Sequence, residues 1–96
     1  MVIWSGPANR DLNSIFEFIS RDSKDYAQNV INEIVEKTSV LNNFPNIGRV
    51  VPEINDPQIR ELIIYSFRIL YTVRKPETEI LAIIHGKRLL IQKKFK

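Results

Sequence analysis

The side chains in this sequence that could do chemistry are cations, carboxylates, tyrosines and a single histidine, His85. The sequence has no cysteine, no phosphate-binding glycine loop and no histidine–carboxylate cluster at metal-ligand spacing. We therefore expect no metal and no cofactor. Arginine and lysine can stabilise charge that develops on a phosphate, and histidine or glutamate can move a proton from a ribose 2′-hydroxyl. The same groups can also bind an acidic protein without breaking any bond.

Three residues are the candidates for an RNA-cleaving site: Arg60, Arg68 and His85. Arg68 lies between apolar neighbours in a strand-like run, so it either serves a site or forms a salt bridge to Glu61 on the adjacent strand. Arg60 precedes Glu61 and is either paired with that carboxylate or part of a site. His85 ends the last apolar run, where it is either a hydrogen-bonded structural residue or a proton carrier.

Charge is distributed unevenly along the chain. Residues 1–48 carry four basic and six acidic side chains, whereas residues 49–96 carry ten basic and five acidic ones. The last ten residues hold five positive charges and no negative one. A basic half beside an acidic half indicates an anionic partner, either nucleic acid or an acidic protein segment. The alternative is a solvated tail that adds solubility.

The elements that must position these cations begin with a short strand and two helices. Val2, Ile3 and Trp4 read as a strand, and Ser5 or Gly6 can cap the helix that follows. The helices are predicted from apolar side chains at 3.6-residue spacing, at Ala8, Leu12, Ile15, Phe16 and Ile19, and then at Ala27, Val30, Ile31, Ile34, Thr38 and Leu41. Asp22 or Ser23 caps the second helix, and the Phe44–Gly48 segment ends it. The pattern predicts an antiparallel helical hairpin.

Three β-rich runs follow a predicted loop at residues 49–58. They cover residues 59–65, 67–73 and 79–85, with residues 75–78 as a hairpin loop. We predict one α+β domain over residues 1–96, in the order β-α-α-β-β-β, with the hairpin packed on one face of a curled antiparallel sheet. The core residues are predicted to be Leu12, Ile15, Ile19, Ile31, Ile34 and Leu41, facing Ile69 and Tyr71.

The composition also bears on the compartment. The first residues do not form a signal peptide, and no apolar run approaches the ~20 residues of a membrane span. Because a small secreted domain usually needs disulfides, the lack of cysteine favours a reducing cytoplasm. We expect no membrane partner.

Four segments, at residues 11–19, 41–49, 60–71 and 83–88, occur in an order that together resembles the RelE/ParE superfamily of toxins. Residues 11–19 resemble the opening helix, and residues 41–49 the L-x-x-x-P-x-x-G-R helix terminator. Residues 60–71 resemble the R-E-L and Y-R-I-x-Y strand pair, and residues 83–88 the closing I-x-H-x-x-R. The match covers nearly the whole chain.

The resemblance implies a type II toxin that is neutralised by an antitoxin whose C-terminal segment wraps around it. RelE-like members cleave messenger RNA on the ribosome and end in a tyrosine or a histidine–tyrosine pair, whereas ParE members poison DNA gyrase and are not nucleases. Here no tyrosine follows Tyr71, and Phe67 stands where the family often has tyrosine. These departures favour a ParE-like gyrase inhibitor over a ribosome-dependent nuclease.

We therefore predict a binding protein rather than an enzyme. Its predicted partner-binding residues are Arg49, Arg60, Arg68, His85, Lys87, Arg88, Lys93 and Lys94. A third alternative is an inactive toxin or a pure protein-interaction module.

Overall fold

A computed structural model describes residues 1–74 and 76–85. The elements are β1 (Val2–Trp4), α1 (Gly6–Ser20), α2 (Lys24–Thr38), a 3₁₀ turn (Ser39–Asn42), β2 (Arg49–Val50), β3 (Ile59–Ile64), β4 (Phe67–Val73) and β5 (Thr78–His85). They form an α+β fold in which the two helices pack on a five-stranded open sheet of order β1-β5-β4-β3-β2. The predicted fold class is therefore confirmed. None of the described helices is long and apolar enough to cross a membrane.

Serine side chains start both helices. The Ser5 hydroxyl accepts a hydrogen bond from the Ala8 N–H at 3.1 Å, and the Ser23 hydroxyl accepts one from the Tyr26 N–H at 3.1 Å. Each bond satisfies an N–H group that has no partner inside its helix. Two of the predicted capping residues are thus the ones the helices use.

The sheet differs from the prediction in two respects. It is mixed rather than antiparallel, because β1 pairs in parallel with the start of β5. Residues 49–58 are not all loop, because Arg49 and Val50 form β2 on the outer edge of β3. Two residues are too few to show a sequence period, so the alternation that predicted β3, β4 and β5 could not predict β2.

The helices cover one face of the sheet, which we call the helix face. Ile34 and Leu41 are buried there against Ile69 and Tyr71, as predicted. Leu12, Ile15, Ile19 and Ile31 are only half-buried, which corrects the prediction for these four positions. Ile15 and Ile19 line an open groove beside α1, so one side of each remains accessible.

The opposite face, which we call the loop face, has a smaller apolar cluster. Val51 and Ile54, from the segment after β2, pack there with Ile59, Leu70, Leu81, Ala82 and Ile84.

On the helix face the Gly48 N–H donates to the Tyr71 hydroxyl at 2.9 Å, inside the core. A Cβ at Gly48 would lie 2.5 Å from the Glu61 carbonyl oxygen and 2.5 Å from the Tyr71 hydroxyl, so this close approach requires glycine.

Candidate functional site

Arg68 is buried on the loop face, where two carboxylates hold its guanidinium. Its Nε donates to Glu61 Oε1 at 2.6 Å, and its Nη1 and Nη2 donate to the two oxygens of Glu53 at 2.7 and 2.8 Å. Glu61 also accepts from the Nε of Arg49 at 2.5 Å. We call Arg49, Glu53, Glu61 and Arg68 the charged quartet. The salt bridge between Arg68 and Glu61, one of the two predicted alternatives, is present.

Both Glu53 and Arg68 are held in their charged forms. Hydrogen bonds from Arg68 lower the pKa of Glu53 from 4.5 to about 2. Hydrogen bonds to Glu53 and then Glu61 raise the pKa of Arg68 further above its already high value, although burial acts in the opposite direction. Neither group exchanges a proton near neutral pH. The quartet therefore serves to hold the segment after β2 against the loop face, where Val51 is fully buried.

Arg60 is tied to backbone carbonyl groups rather than to Glu61. Its Nε donates to the Pro57 carbonyl at 3.1 Å, and its Nη1 donates to the Gly48 carbonyl at 2.9 Å and to the Asn46 carbonyl at 3.5 Å. The proposed pairing with Glu61 is wrong because adjacent residues of a strand point to opposite faces. Arg60 instead joins the loops on either side of β2.

His85 is exposed on the helix face at the end of β5. Its ring makes an edge-to-face contact with Phe67, with ring centroids 6.0 Å apart. Arg68 pairs in register with Ile84 and lies on the loop face, so the sheet separates it from His85. Arg60 lies opposite Tyr71, four residues along β4 from Phe67, which is roughly 14 Å at the rise of a strand. The three candidates for RNA cleavage therefore do not converge.

The predicted partner-binding cations are placed differently from one another. Arg49 has 63% of its side chain exposed although its Nε is bonded to Glu61, so it can contact a partner. Lys87, Arg88, Lys93 and Lys94 lie outside the described residues. Within residues 1–74 and 76–85, no group of three histidines or carboxylates could hold a metal ion.

A groove of about 430 Å³ runs between α1 and the end of β5, and we call it the α1–β5 groove. Its walls are formed by Ile15, Phe18, Ile19, Phe67, Ile83 and His85, among others. Phe18 is 67% exposed, and the guanidinium of Arg21 lies 5.7 Å from the centre of its ring. Phe18 is not among the site residues predicted from the sequence. The available signal was a large apolar residue outside the apolar stripe of its helix.

Comparisons with known proteins agree with this architecture. The family described as the ParE toxin of the type II toxin–antitoxin system, parDE, matches residues 2–90. A solved structure described as the chromosomal ParDE TA system from P. aeruginosa superimposes with a TM-score of 0.75 at 25% sequence identity. That match covers 90% of this chain and 95% of the other. No curated protein matches.

Proposed function

Because this chain belongs to the ParE toxin family of type II toxin–antitoxin systems, we propose that it inhibits growth by binding DNA gyrase in the cytoplasm. A cognate antitoxin neutralises it. The protein acts on gyrase through a surface and breaks no bond itself.

The main support for this proposal is that Arg60 and Arg68 are both engaged in hydrogen bonds within the chain. Phosphate cleavage needs cations whose donors are aimed at the charge that develops in the transition state. Arg68 is buried and bonded to Glu53 and Glu61, and Arg60 donates to three backbone carbonyl groups. His85 lies apart from both. This arrangement supports a binding surface over a nuclease site, and the net charge of +3 suits an anionic partner.

The antitoxin we propose has a segment with both acidic and apolar residues. The acidic residues match the basic second half of the chain, which steers association, and the apolar residues bury exposed surface such as Phe18. Such a segment is disordered alone and folds on the toxin. Binding should weaken as salt concentration rises without disappearing, because the apolar contribution is not screened.

The test compares gyrase supercoiling with cleavage of a reporter messenger RNA during translation, using the purified chain in both assays. We expect gyrase to be inhibited and the messenger RNA to stay intact, and the antitoxin encoded beside the chain should restore gyrase. Neutralising Lys87, Arg88, Lys93 and Lys94 should abolish inhibition, because it removes four of the 14 basic side chains of a chain that is proposed to bind through its charge. His85→Ala should change it by less than about twofold, whereas loss of a proton carrier costs ~10²-fold or more.

A matched control removes the same amount of charge elsewhere. Neutralising the exposed cations Arg10, Lys24, Lys37 and Arg74 should leave inhibition nearly unchanged, with folding checked by circular dichroism. Messenger RNA cleavage that His85→Ala eliminates and the tail variant retains would refute the gyrase proposal. An unchanged growth defect on co-expression with the adjacent small open reading frame would refute the antitoxin pairing.

A further inference from the structure

The loop that joins the 3₁₀ turn to β2 holds two large apolar side chains in solvent. It covers residues 43–48, and we call it the 43–48 loop. Phe44 is 60% exposed there and Ile47 is 57% exposed. The Ile47 N–H donates to the Phe44 carbonyl at 3.1 Å, and both residues line one open hollow of about 380 Å³. The two side chains therefore belong to one exposed apolar patch, which is typical of an interaction surface.

Hydrogen bonds fix the backbone of the 43–48 loop at both ends. At its start, the N–H groups of Asn43 and Phe44 donate to the Val40 carbonyl at 3.1 and 3.0 Å. At its end, the Gly48 N–H donates to the hydroxyl of Tyr71, whose side chain is buried in the core. The loop therefore holds its exposed side chains in a defined position relative to the sheet.

Arg60 fixes the same loop from β3. Its Nη1 donates to the Asn46 carbonyl at 3.5 Å and to the Gly48 carbonyl at 2.9 Å. Side chains that stay in water contribute little to folding stability, so stability does not explain why a fixed loop exposes Phe44 and Ile47. A loop that is already ordered does lower the entropic cost of binding. The 43–48 loop therefore suits a folded partner with a preformed hollow, because little ordering is needed on either side.

The segment around this loop carries positive charge and no negative charge. Residues 38–52 contain no aspartate or glutamate, and their one cation, Arg49, has 63% of its side chain exposed. The carboxylates that follow in the chain, Glu53 and Glu61, accept hydrogen bonds from Arg68 and Arg49. The complementary partner surface is an apolar hollow bordered by carboxylates.

We propose that Phe44 and Ile47 are the apolar anchor through which this chain binds DNA gyrase. Both side chains enter a hollow on the gyrase surface, and carboxylates beside that hollow face Arg49. This inference rests on the proposed binding to gyrase and names the surface of this chain that makes the contact. A folded enzyme is favoured over an antitoxin segment, because segments that fold on binding lie in grooves or along sheet edges, whereas this loop exposes its side chains to solvent.

The experiment measures the affinity of the purified full chain for purified gyrase and for the antitoxin encoded beside it, with folding compared by urea denaturation. Phe44→Ala should weaken gyrase binding by about tenfold or more, and Ile47→Ala by about fivefold. Phe18→Ala is the matched control, because Phe18 is 67% exposed but lines the α1–β5 groove, and it should change gyrase affinity by less than about twofold. Phe44→Ala should bind the antitoxin as tightly as the unaltered chain does.

Three results would overturn this docking surface while leaving gyrase binding intact. The first is equal gyrase affinity of the two phenylalanine variants. The second is a loss of antitoxin affinity in Phe44→Ala without a loss of gyrase affinity, which would assign the patch to the antitoxin. The third is a dimer of the free chain that Phe44→Ala dissociates in sedimentation velocity, which would mean that a second copy covers the patch. Failure of the unaltered chain to bind gyrase would instead refute the proposed function, and the docking surface with it.

Discussion

The two faces of the sheet are both buried, but by opposite means. On the helix face, Ile34, Leu41 and Ile69 are almost entirely inaccessible and pack as an apolar layer. On the loop face, Glu61 and Arg68 are also almost entirely buried, and Glu53 bonds to Arg68 from a loop. Among the described residues, every buried side-chain nitrogen and oxygen has a hydrogen-bond partner. The loop face therefore combines a small apolar cluster with charged side chains that are paired with one another.

Each face of the sheet should therefore be destabilised by a different kind of substitution. An apolar layer loses stability in proportion to the volume removed from it. A buried ion pair adds little net stability over apolar residues of the same shape, yet removing one partner leaves a charge without compensation. On the loop face, replacing both partners of an ion pair by apolar residues should therefore be tolerated. Replacing one partner alone should destabilise the fold.

The largest effect should come from Glu61→Gln on the loop face. Glu61 has no exposed side-chain area and holds both Arg49 and Arg68, so the change leaves a buried excess of positive charge. We expect a loss of about 3–5 kcal/mol in the free energy of unfolding, measured by urea denaturation. Glu17→Gln, at an exposed position of α1, should stay within about 0.5 kcal/mol. Equal losses in the two variants would contradict the role of the quartet.

Ile34→Ala on the helix face should cause a slightly smaller loss in the free energy of unfolding. Ile34 is fully buried, so truncation should leave a cavity and cost about 2–5 kcal/mol. Its neighbour Val35 is 45% exposed, and Val35→Ala should cost about 0.5 kcal/mol or less. Chemical denaturation of both variants measures the difference. An unchanged midpoint for Ile34→Ala would mean that α2 presents a different side to the sheet.

The smallest effect should be a loss of folding stability in acid, which arises on the loop face and leaves the apolar layer of the helix face unchanged. Hydrogen bonds from Arg68 lower the pKa of Glu53 to about 2 in the folded chain, against its ordinary value of 4.5. Its stabilisation is therefore complete above about pH 4.5 and is lost as pH falls towards 2. Hydrogen bonds to charged groups contribute about 1.5–3 kcal/mol. Glu53→Gln should lower stability near neutrality and reduce the acid dependence between these pH values. The same acid dependence in both proteins would exclude Glu53 as its source.

Local sequence patterns were sufficient for most of the fold. The 3.6-residue spacing of apolar side chains predicted both helices, and β-branched and aromatic runs predicted β3, β4 and β5. The parallel pairing of β1 with β5 could not be predicted, because both strands are apolar runs that would suit either direction. Register and direction depend on how α1 returns across the sheet, which no local pattern encodes.

The candidate site was less predictable than the fold. Alternation allowed a salt bridge between Arg68 and Glu61, but nothing marked Glu53 as the second partner, because it lies in a loop without periodicity. The carbonyl partners of Arg60 are backbone groups, which carry no residue-specific signal. The α1–β5 groove joins Asp11 to Ile83, 72 residues away, so its existence depends on tertiary contacts alone.

The bond between Ser5 and Leu81, 76 residues apart, also sets the order in which the molecule can be completed during synthesis. A ribosome adds ~5–20 residues per second, so about 4–15 s pass between making these two residues. A β-hairpin closes in ~1–10 μs, so chain elongation and not strand pairing limits the last step. Throughout that interval β1 lacks its partner strand β5, and the Asp11 carboxylate lacks the Ile83 N–H from which it accepts a hydrogen bond. The newly made chain therefore carries an unfinished sheet until β5 has been synthesised.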